Sequence, residues 1–138
     1  MRVLAPLIVT SLTLAGCTGS MAAPEQRTSK QEIQLRKALA GKVAGKPVDC
    51  LPTYRSSDME VIDDNTILFH DGSNRVFVQS PRGGCSPLGS GHYTLVTTLR
   101  GSSSLCRGDI SRVVDLSAGM TVGSCSMDSF IPYVKPKA

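Results

Sequence analysis

The residues with most chemistry to offer are five cysteines, two histidines and a short acidic run. Nucleophilic catalysis needs a nucleophile, a base and a group that orients the base. His70 stands beside Asp71, and His92 follows Gly89-Ser90-Gly91. Ser90 and His92 are too close in sequence to form a triad without unusual backbone, and no Gly-x-Ser-x-Gly elbow occurs. Both histidines therefore read as surface residues, and no catalytic residue is assigned. Asp63-Asp64, with Glu60 or Asp71, could offer oxygens to a hard cation at about 2.3–2.6 Å. Asp-Asp-Asn between two apolar runs is, however, ordinary turn chemistry, because these side chains bond their own backbone. No metal site or cofactor is expected. Arg107-Gly108-Asp109 reads as a bend after a cysteine, with Asp109 capping the next strand. Arg82-Gly83-Gly84 is single and lacks interleaved aromatics, so no nucleic-acid partner is expected. Gly89-Ser90-Gly91 lacks the Lys-Ser/Thr and following helix of a phosphate loop.

The cysteines carry a stronger signal. Arg2 precedes an apolar stretch from Val3 to Ala15, too short for a membrane span, ending Leu14-Ala15-Gly16-Cys17. This pattern looks like a bacterial lipobox, in which cleavage before Cys17 leaves an N-terminal cysteine that carries lipid. Two or more acyl chains anchor a protein stably where one does so marginally. The fit of all four positions favours this reading over an ordinary secretory signal cut after Ala15 or near Ala22-Ala23. Thr18, where Asp would signal retention in the inner membrane, points to the periplasmic face of the outer membrane. Removing Cys17 leaves the even set Cys50, Cys85, Cys106 and Cys125, at spacings of 35, 21 and 19 residues. No Cys-x-x-Cys pair exists, and an oxidising envelope favours two disulfides. Three connectivities are permitted. The chain favours Cys50–Cys85 with Cys106–Cys125, since the second would staple the ends of one predicted hairpin. Each should stabilise the fold by roughly 3–4 kcal/mol.

These staples must hold a modest chain. Its 138 residues suit one domain, and with three Phe, three Tyr and no Trp the core is thin. After a signal over 1–16 and a lipid anchor and tether over 17–28, the sequence predicts a basic helix over 29–46. Ser29 with Glu32 makes a capping-box pattern, and Glu32 with Arg36 an i,i+4 pair. Leu35, Ala38, Leu39 and the stem of Lys42 share one side. Gly41 or Gly45 can end the helix, and Pro47 forbids its return. The rest, 47–138, reads as about seven short strands between turn residues. They span Met59–Ile62, Thr66–His70, Arg75–Gln79, His92–Thr98, Ile110–Leu116, Met120–Val122 and Phe130–Val134, with Pro132 suggesting an edge position. The expected fold is mainly β: a small, disulfide-stapled antiparallel barrel or sandwich with one short N-terminal helix. No apolar run after residue 17 approaches the roughly 20 residues of a membrane span.

Charge is segregated. Residues 25–46 carry six Lys/Arg against two acids, while 47–138 carry eight against nine. The basic excess sits beside the lipid. Arg36, Lys37, Lys42 and Lys46 are therefore candidates for contact with anionic headgroups, each contributing about 1 kcal/mol near the surface. The rival expectation is that Leu35 and Leu39 pack the helix onto the β-domain and its charges simply face water.

Several segments together carry a family resemblance. They are 39–51 (Leu-Ala-Gly-Lys-Val-Ala-Gly-Lys-Pro-Val-Asp-Cys-Leu), Val61-Ile62-Asp63-Asp64, Leu105-Cys106-Arg107-Gly108-Asp109 and Gly123-Ser124-Cys125. The chain resembles a group of small exported bacterial proteins classed as a domain of unknown function. The likeness covers roughly residues 35–133, with cysteines at all four places. It implies an envelope location, a compact β-rich module and no particular reaction.

The expected function is that of a non-enzymatic envelope lipoprotein. Its partners would be the membrane, through its lipid, and another envelope protein or the cell wall. The alternative is a periplasmic module that binds a small ligand or cation. An exposed apolar patch would favour the first, and a closed pocket with convergent polar groups the second.

Overall fold

A computed structural model describes residues 26–52, 58–99, 101 and 103–137. The signal segment 1–16, Cys17 and the tether to residue 25 lie outside the described residues. One helix, α1 (Ser29–Leu39), precedes eight strands. These are β1 (Val43–Ala44), β2 (Met59–Asp63), β3 (Thr66–Asp71), β4 (Arg75–Gln79), β5 (Tyr93–Thr97), β6 (Ile110–Asp115), β7 (Thr121–Ser126) and β8 (Phe130–Val134). They form two antiparallel sheets, ordered β1-β8-β4-β3-β2 and β5-β6-β7. The mainly β, disulfide-stapled class expected from the sequence is the class observed, with the sheets unclosed.

The helix is shorter than the basic segment 29–46. Its cap lies one residue earlier than Ser29. The Thr28 side chain accepts from the Gln31 backbone N–H, and the Gln31 side chain accepts from the Thr28 N–H at 2.8 Å. The Glu32–Arg36 pair forms as expected, at 3.0 Å. Ala40 leaves helical geometry with ψ 128°, and Gly41 takes φ +69°, a conformation that L side chains rarely adopt. The chain thereby turns into β1 instead of winding on to residue 46. Pro132 is also not at a sheet edge, since β8 lies between β1 and β4. Its carbonyl accepts from Gly45 N–H at 2.7 Å, so its nitrogen faces β1 too and the ladder to β4 loses no donor.

Alternation along the strands builds three layers. One face of the five-stranded sheet offers Ile62, Leu68 and Val76 to α1, which covers them with Leu35, Ala38 and Leu39. The helix thus packs onto the β-domain, as the rival expectation had it. The other face supplies Ile67, Phe69, Phe77 and Phe130 to a cluster completed by Leu95, Val113 and Cys125 of the three-stranded sheet. Phe69 and Phe130 meet edge to face at 5.9 Å within that cluster. Gly89 lets the loop before β5 lie against the Asp63-Asp64 turn, where a Cβ would come within 2.8 Å of the Asp64 nitrogen.

The disulfides join Cys50 to Cys106 and Cys85 to Cys125. The expected pairing, Cys50–Cys85 and Cys106–Cys125, is therefore wrong. Cys106 pairs in register with Cys50, while Cys125 lies opposite Ser111 on β7 and points into the core toward Cys85. The two bridges differ in setting. Cys85 and Cys125 are buried at 0% and 5% exposure. Cys50 is exposed, and its crossing is held independently by Leu51 N–H to Leu105 O at 2.9 Å and Arg107 N–H to Asp49 O at 2.6 Å. Graded native reduction followed by alkylation should label Cys50 and Cys106 first, and Cys85 and Cys125 only as the protein unfolds. Replacing Cys85 and Cys125 by Ala should cost about 4 kcal/mol or more, because a core void adds to the lost cross-link. Simultaneous labelling of all four cysteines would contradict this difference.

Candidate functional site

The three-stranded sheet departs from the usual polarity at one place. An antiparallel sheet over a core ordinarily turns apolar residues inward and polar ones outward. In β6 Ser111 is buried alongside Val113, with its hydroxyl bonded to that of Thr97, whereas Ile110 beside it is 64% exposed. The register explains this. Val113 pairs with Leu95 and Gly123, and Ser111 pairs with Thr97 and Cys125. Because Cys125 is tied inward to Cys85, Ser111 must point inward as well, and Ile110 and Arg112 outward. Gly123 completes the fit, since a Cβ there would meet the Ser86 carbonyl at 2.9 Å.

The outward positions are therefore Val96 on β5, Ile110, Arg112 and Val114 on β6, and Ser124 on β7. A register shift between Val113 and Val114 makes room for Val122. Val96, Ile110 and Val122 are exposed, as are Leu116 and Met120 beside the β6–β7 turn. Among the described residues no element covers this face in the way that α1 covers the five-stranded sheet. The turn itself is held by Asp115, which accepts from Ser117 Oγ at 2.6 Å and from the Ser117 and Ala118 backbone N–H groups. These donors hold its carboxyl below the usual range. Asp115 is thus engaged within the turn.

A second candidate lies between α1 and the five-stranded sheet. Gln34, Lys37, Ala38, Lys42, Glu60 and His70 line an open cleft of about 380 Å³. Glu60 Oε2 meets His70 Nε2 at 2.6 Å, and Oε1 accepts from Gln34 Nε2 at 2.6 Å. Burial raises the Glu60 pKa. Donation by Gln34 and His70, with the charges of His70 and Lys37, outweighs that effect and holds it below its ordinary value. The pair resembles a base with its orienting carboxylate, but the lining contains no Ser, Thr or Cys to act as nucleophile. His92 is exposed and lies away from this pair.

Of the four basic candidates, Lys37 and Lys42 share this cleft, while Arg36 and Lys46 do not. Lys42 Nζ donates to the Ala38 carbonyl at 2.7 Å, closing the C-terminal end of α1. Arg36 is paired with Glu32, and Lys46 is exposed beyond β1.

The acidic turn is bound within the fold. Asp63 Oδ1 accepts from Asn65 N–H at 2.7 Å, and Oδ2 pairs with Arg27 Nε at 2.6 Å. Asp64 Oδ1 accepts from Gly89 N–H at 2.6 Å. Among the described residues no three His, Cys, Asp or Glu side chains come together to hold a metal ion. Asp109 accepts from Cys106 N–H at 2.8 Å, and Gly108 bends the chain at φ +90°.

No family model, no curated protein and no solved structure matches this chain.

Glu60 gives the fold a defined acid dependence. Its folded-state pKa is depressed, so the stability it contributes is present above the unfolded value and is lost as pH falls through the folded one. Glu60→Gln should be less stable than wild type by about 1 kcal/mol near neutral pH, a discounted value for hydrogen bonds to a partly exposed charge. That difference should shrink as pH falls below the ordinary glutamate range. Thermal unfolding of both proteins across an acid series measures it, and parallel curves would contradict the role given to Glu60.

Proposed function

We propose that this protein is a non-enzymatic lipoprotein of the bacterial envelope, anchored through Cys17, whose β-domain docks onto another envelope protein. The observation that carries this reading is the uncovered face of the three-stranded sheet. Soluble monomers seldom expose contiguous apolar surface without a use for it. Here Val96, Ile110 and Val122 emerge on the outward side of one small sheet, and Leu116 and Met120 are exposed beside its β6–β7 turn. The rest of the reading is drawn from the sequence. A lipobox-like signal ends at Cys17, and the remaining four cysteines pair off. In this reading Arg36, Lys37, Lys42 and Lys46 lie near anionic headgroups, at the end of the chain that the tether holds close to the outer membrane.

A second reading, a module for a small anionic ligand, rests on Lys37, Lys42 and His70 around the cleft beneath α1. That cleft is open, and two of its three donors, His70 and Lys42, are already engaged with Glu60 and the Ala38 carbonyl. Docking through the sheet face is therefore preferred.

Cells grown with a fatty-acid probe should label the wild type and leave Cys17→Ser unlabelled. On native gels of gently solubilised envelopes, the wild type should migrate as a complex larger than the monomer. Ile110→Asp should migrate as a monomer while keeping its thermal midpoint, because Ile110 contributes nothing to the core. A wild type already monomeric, or a variant in the same complex, would overturn the docking reading.

A further inference from the structure

Arg112 occupies the middle of the uncovered face. It lies on the central strand, β6, with Val96 beside it on β5 and Ser124 on β7. Among the described residues it makes no ion pair and no side-chain hydrogen bond. The arginines at 27, 36, 75, 82 and 107 all meet carboxylates. The outward positions around Arg112 are Val, Ile, Ser and Thr, and none supplies an acid. Anything that covers Val96, Ile110 and Val122 must therefore take the Arg112 guanidinium out of water. Burying an unpaired charge is strongly unfavourable, whereas a carboxylate set against it restores the balance and fixes orientation.

We infer that the partner of this face is a polypeptide segment presenting one carboxylate flanked by apolar side chains, with the carboxylate seated on Arg112. The inference rests on the docking reading above and names its partner's chemistry. A second copy of this chain does not fit. A face-to-face pair would set Arg112 against the same residue of the copy, and the face has no carboxylate to offer in return. A neutral apolar segment would leave the guanidinium buried alone. Arginine in such a position also matches the residue type that most often dominates the energy of protein interfaces.

The test uses the full-length lipoprotein in the cells that make it, with a photoreactive amino acid at position 124. Irradiation should give an adduct with another polypeptide, and peptide mapping should place Asp or Glu in the captured segment. Yield should fall by about tenfold or more in Arg112→Glu and substantially in Arg112→Gln, and be largely retained in Arg112→Lys. Arg112 is exposed, so all three variants should keep both disulfides and the wild-type thermal midpoint, and that control is run alongside. An adduct that persists undiminished in Arg112→Glu, or a captured segment without an acid, would overturn the inference and leave the docking reading standing. No adduct, or adducts only with lipid or with a second copy of the chain, would overturn both.

Discussion

The Cys85–Cys125 bridge sets the facing of the three-stranded sheet. Residue 125 is pulled into the shared core, and in a pleated strand that choice fixes the direction of every neighbour. Across the ladder it sends Ser111 inward, where Thr97 satisfies its hydroxyl. Ile110 and Arg112 are consequently sent outward. A slip of one residue would bury Ile110 and Arg112 together and lose the bridge. The cross-link therefore reinforces a facing that keeps Val113 in the core and Arg112 in water while leaving Ile110 exposed. A protein with six aromatics has little core with which to fix register otherwise.

The same constraint accounts for the unequal treatment of the two sheets. The five-stranded sheet is apolar on both faces, with Ile67, Phe69 and Phe77 toward the shared core and Ile62, Leu68 and Val76 toward α1. Helix and sheet are also pinned at the edge of their contact by the hydrogen bond from Gln34 to Glu60, whose other carboxylate oxygen accepts from His70 on the neighbouring strand. The three-stranded sheet receives no comparable cover, and its outward face is where apolar residues stand in water. Among the described residues one face is closed by the chain itself and the other is open.

Much of this was legible in the sequence. β4 and β8 stand where the alternation of Val76, Phe77 and Val78 and the final apolar run put them, and the Asp-Asp-Asn and Asp-Gly-Ser-Asn segments turn the chain by local side-chain and glycine chemistry. Local signals were sufficient there because the turns and strands satisfy themselves. Disulfide pairing was not legible, since it depends on which strands meet, and Cys50 meets Cys106 across 56 residues. The docking face was missed for a related reason. Ile110-Ser111-Arg112-Val113-Val114 alternates without declaring which side is the core, and only Cys125 in the opposite strand decides it. Glu60 and His70 lie ten residues apart on neighbouring strands, so their meeting needed the β2–β3 register.

The central claim is that the outward face of the three-stranded sheet is covered in the envelope and bare in the isolated protein. Radical footprinting of the protein, once purified and once in intact envelopes, measures this residue by residue. Ile110, Leu116 and Met120, each about two-thirds exposed, should label readily in the purified protein and be protected in envelopes. Equal labelling of Ile110, Leu116 and Met120 in the two preparations would contradict the account.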